Sequence, residues 1–291
     1  MTEIIRRLLY TGRVVRPLFI LGQSASGKHA AAEVVADRLG AQLISIDSMK
    51  VYRGMDIGTA KPKRPYRLVD ICDPSESYNA GRFVRDARKC LEECPRPLFV
   101  GGTALYYKTF AYGLFEGPEA DPALRQELVA IGAPKLHEEL QKIDPKAAKK
   151  IHPNDLKRLV RAVEVYRKTG EPISSKHTHF EGKAALEADV FGFRRDDIKE
   201  RIAARTKRML VAGLVDEVKA LLAKPWSKEG RRAVGYREVI DHLAGDVDAA
   251  EMERLINRNT NTLARHQIMW FKRIPEVTWV QDADDILRRL P

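Results

Sequence analysis

The run Gly22-Gln23-Ser24-Ala25-Ser26-Gly27-Lys28 carries the spacing G-x-x-x-x-G-K, which is chemistry for an anion. The two glycines permit a tight backbone path that turns successive N–H groups inward. Lys28 adds a point charge, and a helix beginning near His29 adds the positive end of its dipole. The expectation is a phosphate or pyrophosphate cradle. One position departs from the usual motif. A Ser or Thr hydroxyl follows the lysine in such loops and ligates Mg²⁺, whereas here the residue is His29, and imidazole is a poor ligand for a hard, oxygen-preferring cation.

Other residues could serve the same site. Asp47-Ser48 ends an alternating run, Ala41-Gln-Leu-Ile-Ser-Ile46, and so places a carboxylate at a strand's carboxyl end, where open α/β sheets bind ligands. Gly101-Gly102-Thr103 is a second turn of that kind. Arg201 and Arg205 share a helix face at a spacing suited to gripping one anion or, equally, to pairing with nearby acidic residues. Lys157, Arg158 and Arg161 lie largely off an apolar stripe, as a solvated basic face or as contacts to a phosphate backbone. Cys90 and Cys94 share a helix face, yet with Cys72 they lack the further ligands of a metal site and read as buried free thiols. His177 and His179 read as solvent residues in a polar loop.

The elements that must position these groups alternate. Phe19–Leu21 is a short apolar strand, a helix covers about residues 28–39, and residues 41–46 form a second strand. Arg67–Ile71 reads as a third strand. Phe83, Val84, Ala87 and Leu91 mark a helix, and Pro97–Val100 a buried strand. Such alternation predicts the α/β class, with a parallel sheet covered by helices on both faces. From Pro118 to Gly182 the strand signal vanishes and prolines punctuate short helices, the clearest over residues 154–168 with Asn154 or Asp155 as its cap. This segment reads as an inserted all-helical domain. Residues 1–17 read as an N-terminal extension, and residues 18–117 and 183–291 as the core. Residues 188–193 return to a strand, Asp196–Leu222 is helical with a break at Gly213, and a long amphipathic helix over about residues 248–272 precedes a strand at residues 277–280.

A chain of 291 residues can bury a full core. Its 51 Lys and Arg against 40 Asp and Glu leave a net charge of +11, which favours a polyanionic partner. The first 17 residues hold Arg6, Arg7, Arg13 and Arg16 but lack the uninterrupted apolar region of a targeting peptide, and no stretch is apolar enough to span a bilayer. A cytoplasmic monomer with a short basic extension is the expectation.

From Asp47 to Pro62, D-S-M-K-V-Y-R-G-M-D-I-G-T-A-K-P, the sequence resembles the tRNA dimethylallyltransferase (isopentenyltransferase) family, whose members carry D-S-x-x-V-Y-x-G-M-D-I-G-T-A-K-P after a G-P-T-A-S-G-K-T loop. The likeness continues at residues 101–106, 120–122, 151–155, 233–238 and 265–271, and spans the chain from about residue 17 onwards. It implies transfer of a dimethylallyl group from dimethylallyl diphosphate, with Mg²⁺, to N6 of the adenosine 3′ to the anticodon in tRNA. By that resemblance Gly22, Gln23, Ser24, Ala25, Ser26, Gly27, Lys28 and His29 bind the diphosphate with Arg201 and Arg205. Asp47 is the base, and Thr103 contacts the reacting region. Ser48, Met49 and Lys50 line the RNA side. Arg125, Lys157, Arg158, Leu159, Val160, Arg161, Arg232, Gly235, Tyr236, Arg237, Arg265, His266, Gln267, Trp270 and Lys272 match blocks that touch the tRNA anticodon stem-loop, and the insertion grips its stem.

Departures from the family pattern are specific. His29 replaces Thr, Gln23-Ser24 replace Pro-Thr, and Asn261, Thr262 and His266 stand where relatives commonly carry basic residues, which weakens backbone contact and its salt dependence. Mg²⁺ would then be held through waters, the diphosphate oxygens, and Ser26 or Asp47. Three other readings share parts of this pattern: an adenylate isopentenyltransferase, an ATP-binding kinase of the nucleotide or small-molecule type, and a tRNA-binding relative with lost or weakened catalysis.

Overall fold

The computed structural model describes residues 16–113, 117–176 and 184–290. Nearly all of the expected extension, together with His177 and His179, lies outside these residues. The described residues form two compact units, one of Ala111–Ala185 and the other of the chain up to Phe110 and from Leu186 onwards.

In the larger unit β1 (Leu18–Gly22) leads through the Gly-rich loop into α1 (Lys28–Leu39), β2 (Gln42–Ile46), α2 (Ala80–Glu93), β3 (Pro97–Gly101) and α3 (Ala104–Tyr112). β1 and β3 are buried along their whole length, as continuous apolar runs covered on both faces must be. α1 begins without a side-chain cap, since Gly27 at φ 88° has no side chain to offer, and it stops at left-handed Gly40. In α2 the Asn79 side chain accepts the Arg82 N–H.

The smaller unit holds α4 (Pro122–Ile131), α5 (Ala133–Ile143), α6 (Pro145–Lys150), α7 (Leu156–Thr169) and α8 (Ile173–Lys176). Asp121, Asp144 and Asp155 cap α4, α6 and α7, and proline sits in the first turn of α4, α5 and α6, where its missing N–H matters least. Leu128, Leu136, Leu140, Leu159 and Val163 form its core.

The chain returns through β4 (Asp189–Phe193), α9 (Ile198–Val211), α10 (Leu214–Leu222), α11 (Lys228–Arg231), α12 (Tyr236–Leu243), α13 (Ala249–Phe271), β5 (Thr278–Val280) and α14 (Ala283–Arg289). The strands pair in parallel in the order β2-β3-β1-β4-β5. Leu18, Ile20, Leu98, Val100 and Phe191 pack with Val35 of α1 and Ile286 of α14. On the opposite face Phe19 stacks on Phe99 at 4.9 Å and meets Tyr107 edge-on at 5.2 Å. The fold is thus the expected α/β sandwich with an all-helical unit inserted.

The register fixes where ligands can bind. Leu21 lies opposite Gly101 and Gly192, and Ile46 opposite Gly101, so the loops after β1, β2 and β3 leave the sheet at one level. A Cβ on Gly101 would lie 1.9 Å from the Ile46 carbonyl oxygen, so only glycine allows the β2 and β3 ends to approach this closely.

One expected strand is absent. Arg67–Ile71 makes only an isolated bridge from Arg67 to Ile44, because Leu68 and Asp70 adopt φ of 61° and 57°, which no strand accommodates. No helix among the described residues is long and apolar enough to cross a membrane.

Candidate active site

The loop from Gly22 to Lys28 carries two left-handed residues, Ala25 at φ 63° and Gly27 at φ 88°. Its small cavity, about 130 Å³, is lined by Lys28, His29, Asp47, Lys50 and Arg205 as well as by the loop itself. A helix N-terminus and three cationic side chains suit a polyanion. Ser26 is fully buried, and its Oγ has no hydrogen-bond partner, a free donor for a ligand oxygen. Lys28 donates to the Gln23 carbonyl at 3.2 Å.

The loop is braced from three elements. Arg201 Nε donates to the Ala25 carbonyl at 2.8 Å, Arg195 Nε to the Ser26 carbonyl at 3.3 Å, and Gln23 Nε2 to the Arg195 carbonyl at 3.2 Å. From α13, Gln267 Oε1 accepts the Ser24 N–H at 2.8 Å and the Ser24 hydroxyl at 3.2 Å, while its Nε2 donates to the Gly102 carbonyl at 3.0 Å. The two arginines expected to grip one anion therefore divide the work. Arg201 holds backbone, and Arg205 faces the cavity.

A larger cavity of about 370 Å³ adjoins, with Met49, Ile202, Met209, Val234, Ile256 and Leu263 as an apolar wall and Asp47, Ser48, Thr103, Arg205 and Gln267 as its polar groups. Asp47 lines both spaces. Its Oδ1 accepts the N–H groups of Met49 at 2.9 Å and Lys50 at 3.3 Å, and Thr103 Oγ1 accepts the Ser48 N–H at 3.1 Å. These bonds fix the turn after β2 against the turn after β3.

The crowd of cations shifts its own members. Burial, then Lys50 and Arg205, push Lys28 down to about 7 against the pull of Asp47. Burial brings Lys50 to about 8, with Asp47 opposing. Burial, followed by Lys50, Lys28 and Arg205, holds His29 well below its ordinary value, so the imidazole is neutral at neutral pH. Its Nε2 lies 2.9 Å from Lys50 Nζ and accepts from that ammonium.

These residues do not fit a protein-held Mg²⁺. At the position where a hydroxyl would ligate the ion there is an imidazole whose lone pair is already engaged by an ammonium. No group of three or more His, Cys, Asp or Glu among the described residues could hold a metal.

Several residues expected at the RNA do other work. Lys50 is buried and faces the small cavity rather than an outer surface. Gln267 is the brace just described. Tyr236 is fully buried, its hydroxyl donating to Glu217 Oε1 at 2.7 Å, and the Gly235 N–H is taken by Glu238 Oε2 at 2.7 Å. Within the helical unit Leu159 and Val160 lie in the core and offer no surface. Arg125 clasps buried Glu164 through Nε and NH2, both at 2.8 Å, and Arg161 NH1 reaches the same carboxylate at 2.7 Å, because a buried charge needs partners. Lys157, Arg158, Arg232, Arg237, Arg265, His266, Trp270 and Lys272 are exposed, with Arg158 paired to Asp155 at 3.3 Å, Arg237 to Glu238 at 2.7 Å, and Lys108 Nζ 5.4 Å above the Trp270 ring. Cys72, Cys90 and Cys94 are buried free thiols, as expected.

Sequence reasoning missed Glu217, which accepts the N–H groups of Asp56, Ile57 and Gly58 at 2.9, 2.7 and 3.1 Å and so holds the loop that supplies Gly58 and Thr59 to the larger cavity. It also missed Arg195. No spacing rule links either residue to its distant partners.

A family model described as IPP transferase matches residues 50–274. The tRNA dimethylallyltransferase of Thermotoga petrophila is 43% identical over 288 residues, covering 92% of this chain and 94% of the relative. That of Geobacter sulfurreducens is 39% identical over 289 residues, covering 93% of each. The crystal structure of the full-length tRNA isopentenylpyrophosphate transferase from Bacillus halodurans superposes with a TM-score of 0.66 at 36% identity, covering 91% of this chain and 89% of that one. A sheet whose strand ends carry a cation-lined Gly-rich loop, a carboxylate and an apolar cavity, together with similarity over nearly the whole length, places this chain in the IPP transferase family.

Proposed function

We propose that this protein transfers a dimethylallyl group from dimethylallyl diphosphate to N6 of the adenosine 3′ to the anticodon (position 37) of tRNA and releases diphosphate. The observation that carries this reading is the position of Asp47, whose side chain borders both the cationic cavity and the apolar one. The diphosphate would occupy the loop, and the hydrocarbon would lie along Met49, Ile202 and Met209. As the allylic C–O bond breaks, charge would accumulate on the leaving oxygens, which Lys28, Lys50 and Arg205, lining the small cavity, would stabilise. As the new C–N bond forms, the N6 proton passes to Asp47 and then to water, a general-base contribution of ~10²–10⁴-fold. Thr103 holds the Asp47–Lys50 turn, and no step is assigned to a metal.

The acceptor must leave its stack, which a single-stranded loop base does most readily. Exposed Trp270, Leu105 and Leu263 at the larger cavity offer apolar surface to such a base. In the helical unit exposed Lys157 and Arg158, the latter paired with Asp155, would meet a stem backbone, while Arg125 and Arg161 shape the unit that presents them. The test is incubation with dimethylallyl diphosphate, Mg²⁺ and an anticodon stem-loop, read by nucleoside mass spectrometry beside an RNA lacking that adenosine. Product on the first RNA alone is expected, and transfer of γ-phosphate from labelled ATP instead would favour a kinase.

A further inference from the structure

We propose that Lys50, anchored by His29, supplies at the diphosphate the positive charge that a hydroxyl-bound divalent cation supplies in other loops of this spacing, so that anion binding here needs no metal held by the protein. This rests on the reading of the small cavity as the diphosphate site.

Three observations converge on it. His29 occupies the position after the loop lysine, where the metal-ligating hydroxyl belongs, and it lines the small cavity. Lys50 lines the same cavity, and its ammonium stands 2.9 Å from the imidazole nitrogen. An ammonium has three donors, so one bond to His29 leaves two to turn toward phosphate oxygens. The backbone beneath Lys50 is also fixed, since Asp47 Oδ1 accepts its N–H at 3.3 Å and Thr103 holds the neighbouring Ser48. The cation is therefore placed before the ligand arrives.

The two side chains make sense only together. A divalent ion at the hydroxyl position would face a buried ammonium and be repelled, whereas an imidazole there gives that ammonium a neutral acceptor and a direction. With an anion bound, Lys28, Lys50 and Arg205 then present three positive charges, a count that matches the usual lysine plus a doubly charged ion.

The experiment is calorimetric titration of the full chain with inorganic pyrophosphate, in EDTA and at saturating Mg²⁺. The wild type should bind in EDTA within about threefold of its affinity with Mg²⁺, and Lys50→Met should bind roughly tenfold or more weakly in EDTA, the loss of a charge-assisted contact. The double variant His29→Thr with Lys50→Gln should bind tightly only when Mg²⁺ is added. A wild-type affinity that collapses in EDTA overturns the proposal, as does a Lys50→Met protein that binds unchanged. If Lys50→Met does not fold by circular dichroism, the wild-type comparison alone decides. Nucleoside analysis separates the two readings. Metal-independent pyrophosphate binding without nucleoside product sinks the transferase reading and leaves this one standing, whereas product formed with Mg²⁺ beside metal-dependent pyrophosphate binding does the reverse.

Discussion

The hydroxyl of Tyr236 donates to Glu217 Oε1 at 2.7 Å, and the same carboxylate collects the three consecutive N–H groups of residues 56–58. A Cβ on Gly58 would lie 2.5 Å from the Tyr236 ring, so ring and loop are in direct contact. Burial, then Glu217, pushes the phenol far above its ordinary value, and it stays a donor throughout the working range. Tyr236→Phe should therefore destabilise the protein by about 1–2 kcal/mol and Glu217→Ala by roughly 3 kcal/mol, because several donors lose one acceptor. Urea unfolding measures this. Glu217→Ala should also raise KM for the prenyl donor, since Gly58 and Thr59 line the cavity proposed for it.

Asp47→Asn keeps an oxygen for the Met49 and Lys50 amides but cannot take a proton. Transfer to the stem-loop should fall ~10²–10⁴-fold with folding stability nearly unchanged. Pyrophosphate binding should persist, since the substitution removes a negative charge beside the anion. Normal turnover in Asp47→Asn would exclude a base at this position.

The pH dependence has a definite sign. Lys28 at about 7 and Lys50 at about 8 bind anions in their charged forms, which predominate at low pH. Affinity of the free protein for pyrophosphate should weaken as pH climbs through about 7 and then about 8, and binding should take up protons, seen as a buffer-dependent enthalpy.

The same depression makes Lys28 a burden when the site is empty. The unfolded chain binds this proton more tightly, so stability rises as pH increases from about 7 toward 10.5. Lys28→Met should stabilise the ligand-free protein near neutrality by on the order of 1 kcal/mol or more while abolishing pyrophosphate binding. Thermal unfolding with and without pyrophosphate reads both effects.

In the helical unit burial pushes the Glu164 carboxyl up, but hydrogen bonds from Arg125, the Asp121 N–H and Arg161 outweigh it and hold the group at about 2. Its stabilising share is present above the unfolded value of 4.5 and is lost as pH falls from there toward 2. Arg125→Ala should destabilise the unit by about 3–5 kcal/mol, as removal of one partner from a buried pair does. Lys157→Ala, at an exposed position, should leave stability intact and lower the salt slope of stem-loop binding by about 1.

The sequence made the local parts of this site legible and left the long-range ones hidden. The loop from Gly22 to Lys28 is readable because its backbone path depends on glycines a few residues apart, and Asp47 because it ends an alternating run. The cap of α7 was readable only to within Asn154 or Asp155, and Asp155 is the one that takes the role. The apolar stripe already placed Leu159 and Val160 in a core, and matching them to an RNA-touching block overrode that signal. Leu68 and Asp70 broke an expected strand because nothing in their side chains announces a left-handed backbone. Spacing could not tell that Arg201 serves the Ala25 carbonyl while Arg205 serves the cavity, nor that Lys50 turns toward His29. Those outcomes are set by how the loops leave the sheet.

The brace between Ser24 and Gln267 joins positions 243 residues apart, and central β1 gains its β4 partner only after the helical segment has been made. On the ribosome the first strand must therefore wait, with one edge bare, while the inserted helices emerge and settle on their own. The insertion is made before the last brace on the anion loop, so a chain cut short before α13 lacks the Gln267 contacts to Ser24 and Gly102.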